Sequence, residues 1–199
     1  MQRYVAFVAG LPCGRSSVGT DTLRNLFARL GFLNVEVFLT NGNVIFDTAP
    51  VGVIAPLEAQ ISRFLTKSLD TSEIHVFIRT PEELLGILAS VPFHADDVRA
   101  EGAHLFVVLL SEEPDEYAQK KLRIRRTEID ELRVSGKEIY WLRRASHDQV
   151  PPPALSEILD APATVRSFQT IARLVARCTP QASTDPLSLD TNQSAQSRR

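Results

Sequence analysis

Two glycine-bearing segments carry the residues best suited to holding an anion: Gly10-Leu11-Pro12-Cys13-Gly14-Arg15-Ser16-Ser17-Val18-Gly19 and Thr40-Asn41-Gly42-Asn43. Glycine admits close approach to the backbone, while exposed amides and the start of a following helix attract negative charge. Arg15 and Ser16 add side-chain donors to the first segment. The plainer alternative is a strand-to-helix connector whose glycines serve only the path of the chain. Gly10-x-x-x-Gly14-Arg15-Ser16 has one residue too few between its glycines for a P-loop, and Arg15 stands where the lysine belongs. Nucleotide hydrolysis of the P-loop kind is therefore not expected.

Other chemistry-bearing residues give weaker patterns. Cys13 shares the first loop, where a helix start lowers a thiol pKa, but no histidine lies near it in sequence to act as base. His75, His94, His104 and His147 are scattered without metal-ligand spacing, and no metal is expected. Arg166 has two readings. It is either a solvent-facing residue at a helix entry capped by Ser167 or Thr164, or a fork of donors that reaches the glycine loops and grips a carboxylate or phosphate. The basic run of Lys120, Lys121, Arg123, Arg125 and Arg126 is interleaved with acids and reads as a solvated helix face.

The elements that must position these residues follow from periodicity and punctuation. Tyr4 to Ala9 is a short apolar run, read as a buried strand. Thr20 or Asp21 is placed to cap a helix whose stripe is Leu23, Leu26, Phe27 and Leu30, with Gly31 as its stop. Val35 to Leu39 and Val44 to Phe46 flank Asn41-Gly42, a strong hairpin signal. Pro56 suits the first turn of a helix with apolar Leu57, Ile61, Phe64 and Leu65, and Ile74 to Ile78 reads as a strand. That order, β-α-β-β-α-β, is the ferredoxin-like pattern. In it the first two strands run the same way, so both glycine segments leave the sheet at one end.

The second half repeats the pattern less completely. Thr80-Pro81-Glu82-Glu83 is a capping box opening a helix, and His104 to Leu110 is a strand. Pro114 opens a charged helix to about Ile124, and Leu132 to Leu142 forms a hairpin about Ser135-Gly136. After Pro151-Pro152-Pro153 come a short helix at Leu155 to Leu159 and a last one bearing Phe168, Ile171, Leu174 and Val175. The expected fold is α+β, with two ferredoxin-like halves (1–79, and an incomplete one within 80–178) plus C-terminal helices. A polar tail, 179–199, is expected to be disordered.

The opening strand with its glycine loop, the stretch Phe38-Leu39-Thr40-Asn41-Gly42-Asn43-Val44-Ile45-Phe46, and Ala163-Thr164-Val165-Arg166-Ser167-Phe168-Gln169-Thr170-Ile171 occur in that order. Together they resemble the bacterial "domain of unknown function 1697" family across about residues 3–178. The chain departs from that family's Arg-Gly-Ile-Asn-x-Gly loop at Ala9-Gly10-Leu11-Pro12-Cys13-Gly14, and from its Arg-Asn-Trp-Asn-Thr motif at Arg166 to Thr170. The resemblance implies a fold and draws Arg166, with Thr164, towards the glycine loops. It brings no reaction and no cofactor. The expected site therefore comprises Gly10, Gly14, Arg15, Ser16, Thr40, Asn41, Gly42, Asn43, Thr164 and Arg166, with a small anion as ligand.

Phe7-Val8-Ala9-Gly10-Leu11-Pro12 also resembles the first-strand motif of RNA-recognition domains, whose third strand carries basic and aromatic residues with exposed rings. Asn43-Val44-Ile45-Phe46 supplies one ring and no basic residue, so nucleic acid is not the expected partner; a protein- or RNA-interaction module is the runner-up. A net charge of −2 over 199 residues gives no general attraction to nucleic acid or anionic membrane. Two cysteines do not make a disulfide framework, and the opening apolar run is too short to span a bilayer, so a cytoplasmic setting is expected.

Overall fold

A computed structural model describes residues 1–12, 17–39, 42–144 and 155–179. Its first sheet holds β1 (Gln2–Ala9), β2 (Leu33–Phe38), β3 (Asn43–Thr48) and β4 (His75–Arg79), in the order β2-β3-β1-β4 with antiparallel neighbours. Helices α1 (Thr20–Arg29) and α2 (Ala55–Ser68) are the two crossovers. The second sheet holds β5 (His104–Leu109), β6 (Asp130–Ser135), β7 (Glu138–Arg143) and β8 (Thr164–Ser167), in the matching order β6-β7-β5-β8. Its crossovers contain α5 (Glu116–Ile124) and α6 (Leu155–Leu159). Helices α3 (Pro81–Ala89) and α4 (Ala95–Arg99) lie between the halves in sequence, and α7 (Phe168–Cys178) follows β8. The expected α+β class with two ferredoxin-like halves is what the chain forms.

The period of two along a strand explains the layering. Tyr4, Ala6 and Val8 of β1 face α1 and α2, packing with Phe27, Phe46 and Ile61. Val5 and Phe7, on the other face, enter a core shared with the second half: Val107 and Leu109 of β5, Leu84 and Ile87 of α3, and Ile171, Leu174 and Val175 of α7. Val108, Ile139 and Trp141 face the opposite way, onto Leu122 of α5 and Ile158 of α6. Both central strands are therefore buried on both faces, and they read as unbroken apolar runs for that reason. Among the described residues no helix is long and apolar enough to cross a membrane.

Several local expectations shift. Gly19, extended at φ −66° and ψ 153°, is the N-cap of α1, with no side-chain cap bond, so Thr20 and Asp21 lie inside the first turn rather than capping it. Helix α5 begins after Pro114: Asp115 is its cap and accepts from the Ala118 amide, because a carboxylate satisfies a helix-start amide that a proline ring cannot. The capping box at Thr80 and Glu83 forms as expected. The second half is more complete than its sequence implied. Thr164–Ser167, read as helix entry, is a fourth strand paired antiparallel with β5, and Ser167 then caps α7 through the Thr170 amide. The tail beyond Thr179 lies outside the described residues.

Candidate functional site

The ends of β1 and β3 meet as the strand order requires. The Val8 amide donates to the Gly42 carbonyl at 2.8 Å. Gly42 has φ +72°, and a Cβ there would stand 2.8 Å from the Val8 carbonyl oxygen and 2.9 Å from Leu11 Cδ1. Gly10 has φ +80°, and a Cβ there would collide with the Glu73 carbonyl oxygen. Both glycines are thus required by chain packing against chain. Gly14, Arg15, Ser16, Thr40 and Asn41, together with Cys13, lie outside the described residues.

Arg166 reaches these strand ends. Its side chain comes from β8, which pairs Val107 with Arg166, and it leaves the second sheet to enter the first. Nε donates to Asn43 Oδ1 at 2.7 Å, and Nη2 donates to the Val8 carbonyl at 3.3 Å. Nη1 donates to Thr164 Oγ1 at 2.7 Å and to the Val165 carbonyl at 2.9 Å. The guanidinium also lies 5.7 Å from the centre of the Phe7 ring. Asn43 is held in turn by donating Nδ2 to the Phe38 carbonyl at 3.1 Å. Arg166 is 9% exposed, and that burial pulls its pKa down to about 10.

The solvent-facing reading of Arg166 does not hold: its fork donates to Asn43, Thr164, Val165 and Val8. Gly10, Gly42, Asn43, Thr164 and Arg166 do come together at one end of the first sheet, as the strand order implied. The rings that nucleic-acid stacking would need exposed, Phe7 and Phe46, are fully buried. No group of histidine, cysteine and acid residues with metal-ligand geometry occurs among the described residues.

Two further buried polar residues escaped the sequence reading. Arg79, at 1% exposed, donates through Nε to Glu138 Oε1 at 2.8 Å and through Nη2 to the Leu110 carbonyl at 2.7 Å, linking β4 to the second half. Glu58, on α2, accepts at 2.7 Å from the Ile78 amide of β4. An arginine ending an apolar strand and a glutamate next to a helix stripe both read as surface groups when sequence is the only guide. A cleft of about 860 Å³ lies between α2 and the connection from β5 to α5, and none of the residues that bond Arg166 lines it.

A model of the family described as "Protein of unknown function (DUF1697)" matches residues 1–140, a range that takes in both glycine segments and ends before β8. Among solved structures, a conserved bacterial protein from Streptococcus pneumoniae is similar at TM-score 0.66 and 20% identity, covering 89% of this chain and 98% of that one. At that identity the likeness is one of fold. No curated protein matches.

Proposed function

The chain belongs to the DUF1697 family, whose function is unknown, and from that premise we propose that it binds a small anionic ligand where the loop after β1 meets the turn after β2. The supporting observation is the buried guanidinium of Arg166, fixed against Val8 and Asn43 at the strand ends from which those segments leave. A positive charge in low-dielectric surroundings acts on a nearby anion with less screening than a surface arginine does. In this reading Arg166, Asn43 and Thr164 hold the two segments together and set the local field. Direct contacts come from Arg15, Ser16, Thr40 and Asn41 and from the amides of Gly10, Gly14 and Gly42. The competing reading, an interaction module for RNA or protein, is less well supported because both faces of each sheet are covered.

Thermal unfolding with phosphate, nucleotides and small carboxylates tests the proposal. A ligand at a hundred times its Kd stabilises the native state by about 2.7 kcal/mol, roughly 5–10 °C for a chain of this size. Arg15→Ala is expected to abolish that shift while leaving the unliganded Tm nearly unchanged. If none of these anions moves the transition, the reading fails.

A further inference from the structure

We propose that the cleft between α2 and the β5–α5 connection binds a small organic cation, an alkyl- or arylamine whose ammonium group meets the carboxylate of Glu58. The cleft's volume of about 860 Å³ is within the roughly 300–1,000 Å³ usual for small-molecule sites, and it lies at a junction between two packed units, where such sites concentrate. Ile74, just before β4, and Val76 and Phe77 within it line one side, and Leu110, Pro114 and Ala118 another. These groups suit an apolar ligand body.

Glu58 gives the site its polarity. It is only 5% exposed, yet it lines the cleft. Oε1 accepts from the Ile78 amide, which fixes the direction of the carboxylate. Its other oxygen, Oε2, accepts no hydrogen bond among the described residues, and Glu58 lines the cleft. No ion pair of Glu58 occurs among the described residues. A carboxylate in such surroundings is stabilised by an incoming cation and repelled by an incoming anion. The rim has the same bias: Glu73, Glu112, Glu113 and Asp115 outnumber Arg63 and Lys67.

The edge of β4 argues for a small molecule over an added peptide strand. A strand pairing there needs the outward amides of β4 and of Ile74 just before it. The Ile74 amide already donates to Thr66 Oγ1 at 3.0 Å, and the Ile78 amide to Glu58. Helix α2 therefore caps the edge at both ends and leaves a short, walled floor. None of these residues belongs to the proposed anion site, so the two readings stand or fall separately.

Calorimetric titration of the full chain with 2-phenylethylamine, phenylacetate and 2-phenylethanol tests the proposal. The amine is expected to bind, with phenylacetate and the alcohol at least tenfold weaker. Glu58→Gln retains an acceptor for the Ile78 amide and removes the charge; it is expected to weaken the amine about tenfold or more, as for loss of a charge-assisted contact. Ala59→Trp, at an exposed position of α2 facing the cleft, is expected to block the amine without disturbing the core, and it decides the matter if Glu58→Gln does not fold. The proposal is overturned if the amine does not bind, if phenylacetate binds as well as the amine, or if the folded variants bind the amine as the parent does. Phosphate titrated into the same variants reports on the glycine loops alone, so failure at one site is not read as failure at the other.

Discussion

Gly42 and Arg166 show how two residues chosen for their chemistry also serve the chain itself. At Gly42 the left-handed φ and the nearby Val8 carbonyl leave no room for a methyl group. Gly42→Ala is therefore expected to cost about 2–4 kcal/mol in denaturant unfolding, from backbone strain together with steric displacement of Val8 or Leu11. An unchanged midpoint would mean that the β1 and β3 ends yield easily, and the close approach would lose its significance. Arg166 donates to oxygens from two sheets, so its substitution disturbs packing as well as any bound anion. Arg15 is the better residue for probing ligand contact.

The junction of β8 and α7 is the element least legible in sequence. Thr164–Ser167 is four residues long, and its strand character comes from pairing with Val107 and its neighbours, far away in the chain. Local pattern cannot supply that partner, and Ser167 sends a competing signal as a helix cap. Both signals are true, since Ser167 ends the strand and caps the helix. Ser167→Ala is expected to cost about 1 kcal/mol, measured as a fall in the unfolding midpoint at constant m-value. By contrast, the Thr80 capping box, the Asn41-Gly42 hairpin signal and the apolar stripes of α1 and α7 are written within a few neighbouring residues. Those were readable. The side-chain environments of Arg79 and Glu58 depend on which segments meet across the molecule and carry no local signal, whereas the approach of Arg166 to the glycine segments was one of two readings and came from the family resemblance.

Across the whole molecule, one apolar core is contributed by both sheets and by α3 and α7, and buried polar side chains tie it together. Tyr140 of β7 is one of them: its hydroxyl donates to the Ile87 carbonyl of α3 at 2.9 Å. Burial, with the charge of Glu138 adding to it, pushes the Tyr140 hydroxyl up to about 12. Its protonated form contributes fully below the ordinary value of 10.0, and that contribution is lost as pH rises through about 12. Stability measured between those values is expected to fall with pH in the parent and to fall less steeply in Tyr140→Phe. At neutral pH that variant is expected to lose about 1 kcal/mol, the usual worth of a buried hydrogen bond. A parallel pH dependence in both proteins would remove Tyr140 as its source.

The bond from Arg166 to the Val8 carbonyl spans 158 positions of the chain. At a synthesis rate of about 5–20 residues per second, that span corresponds to roughly 8–30 s of translation. β4 ends at Arg79 and α7 at Cys178, about 100 residues or roughly 5–20 s of synthesis apart. In that interval α3, β5, β7 and α7 complete in turn the core over Val5, Phe7 and Phe77. The nascent chain thus carries a partly covered apolar sheet face until α7 is made, which makes it a client for chaperones that hold such faces and a hazard when several ribosomes translate one message side by side.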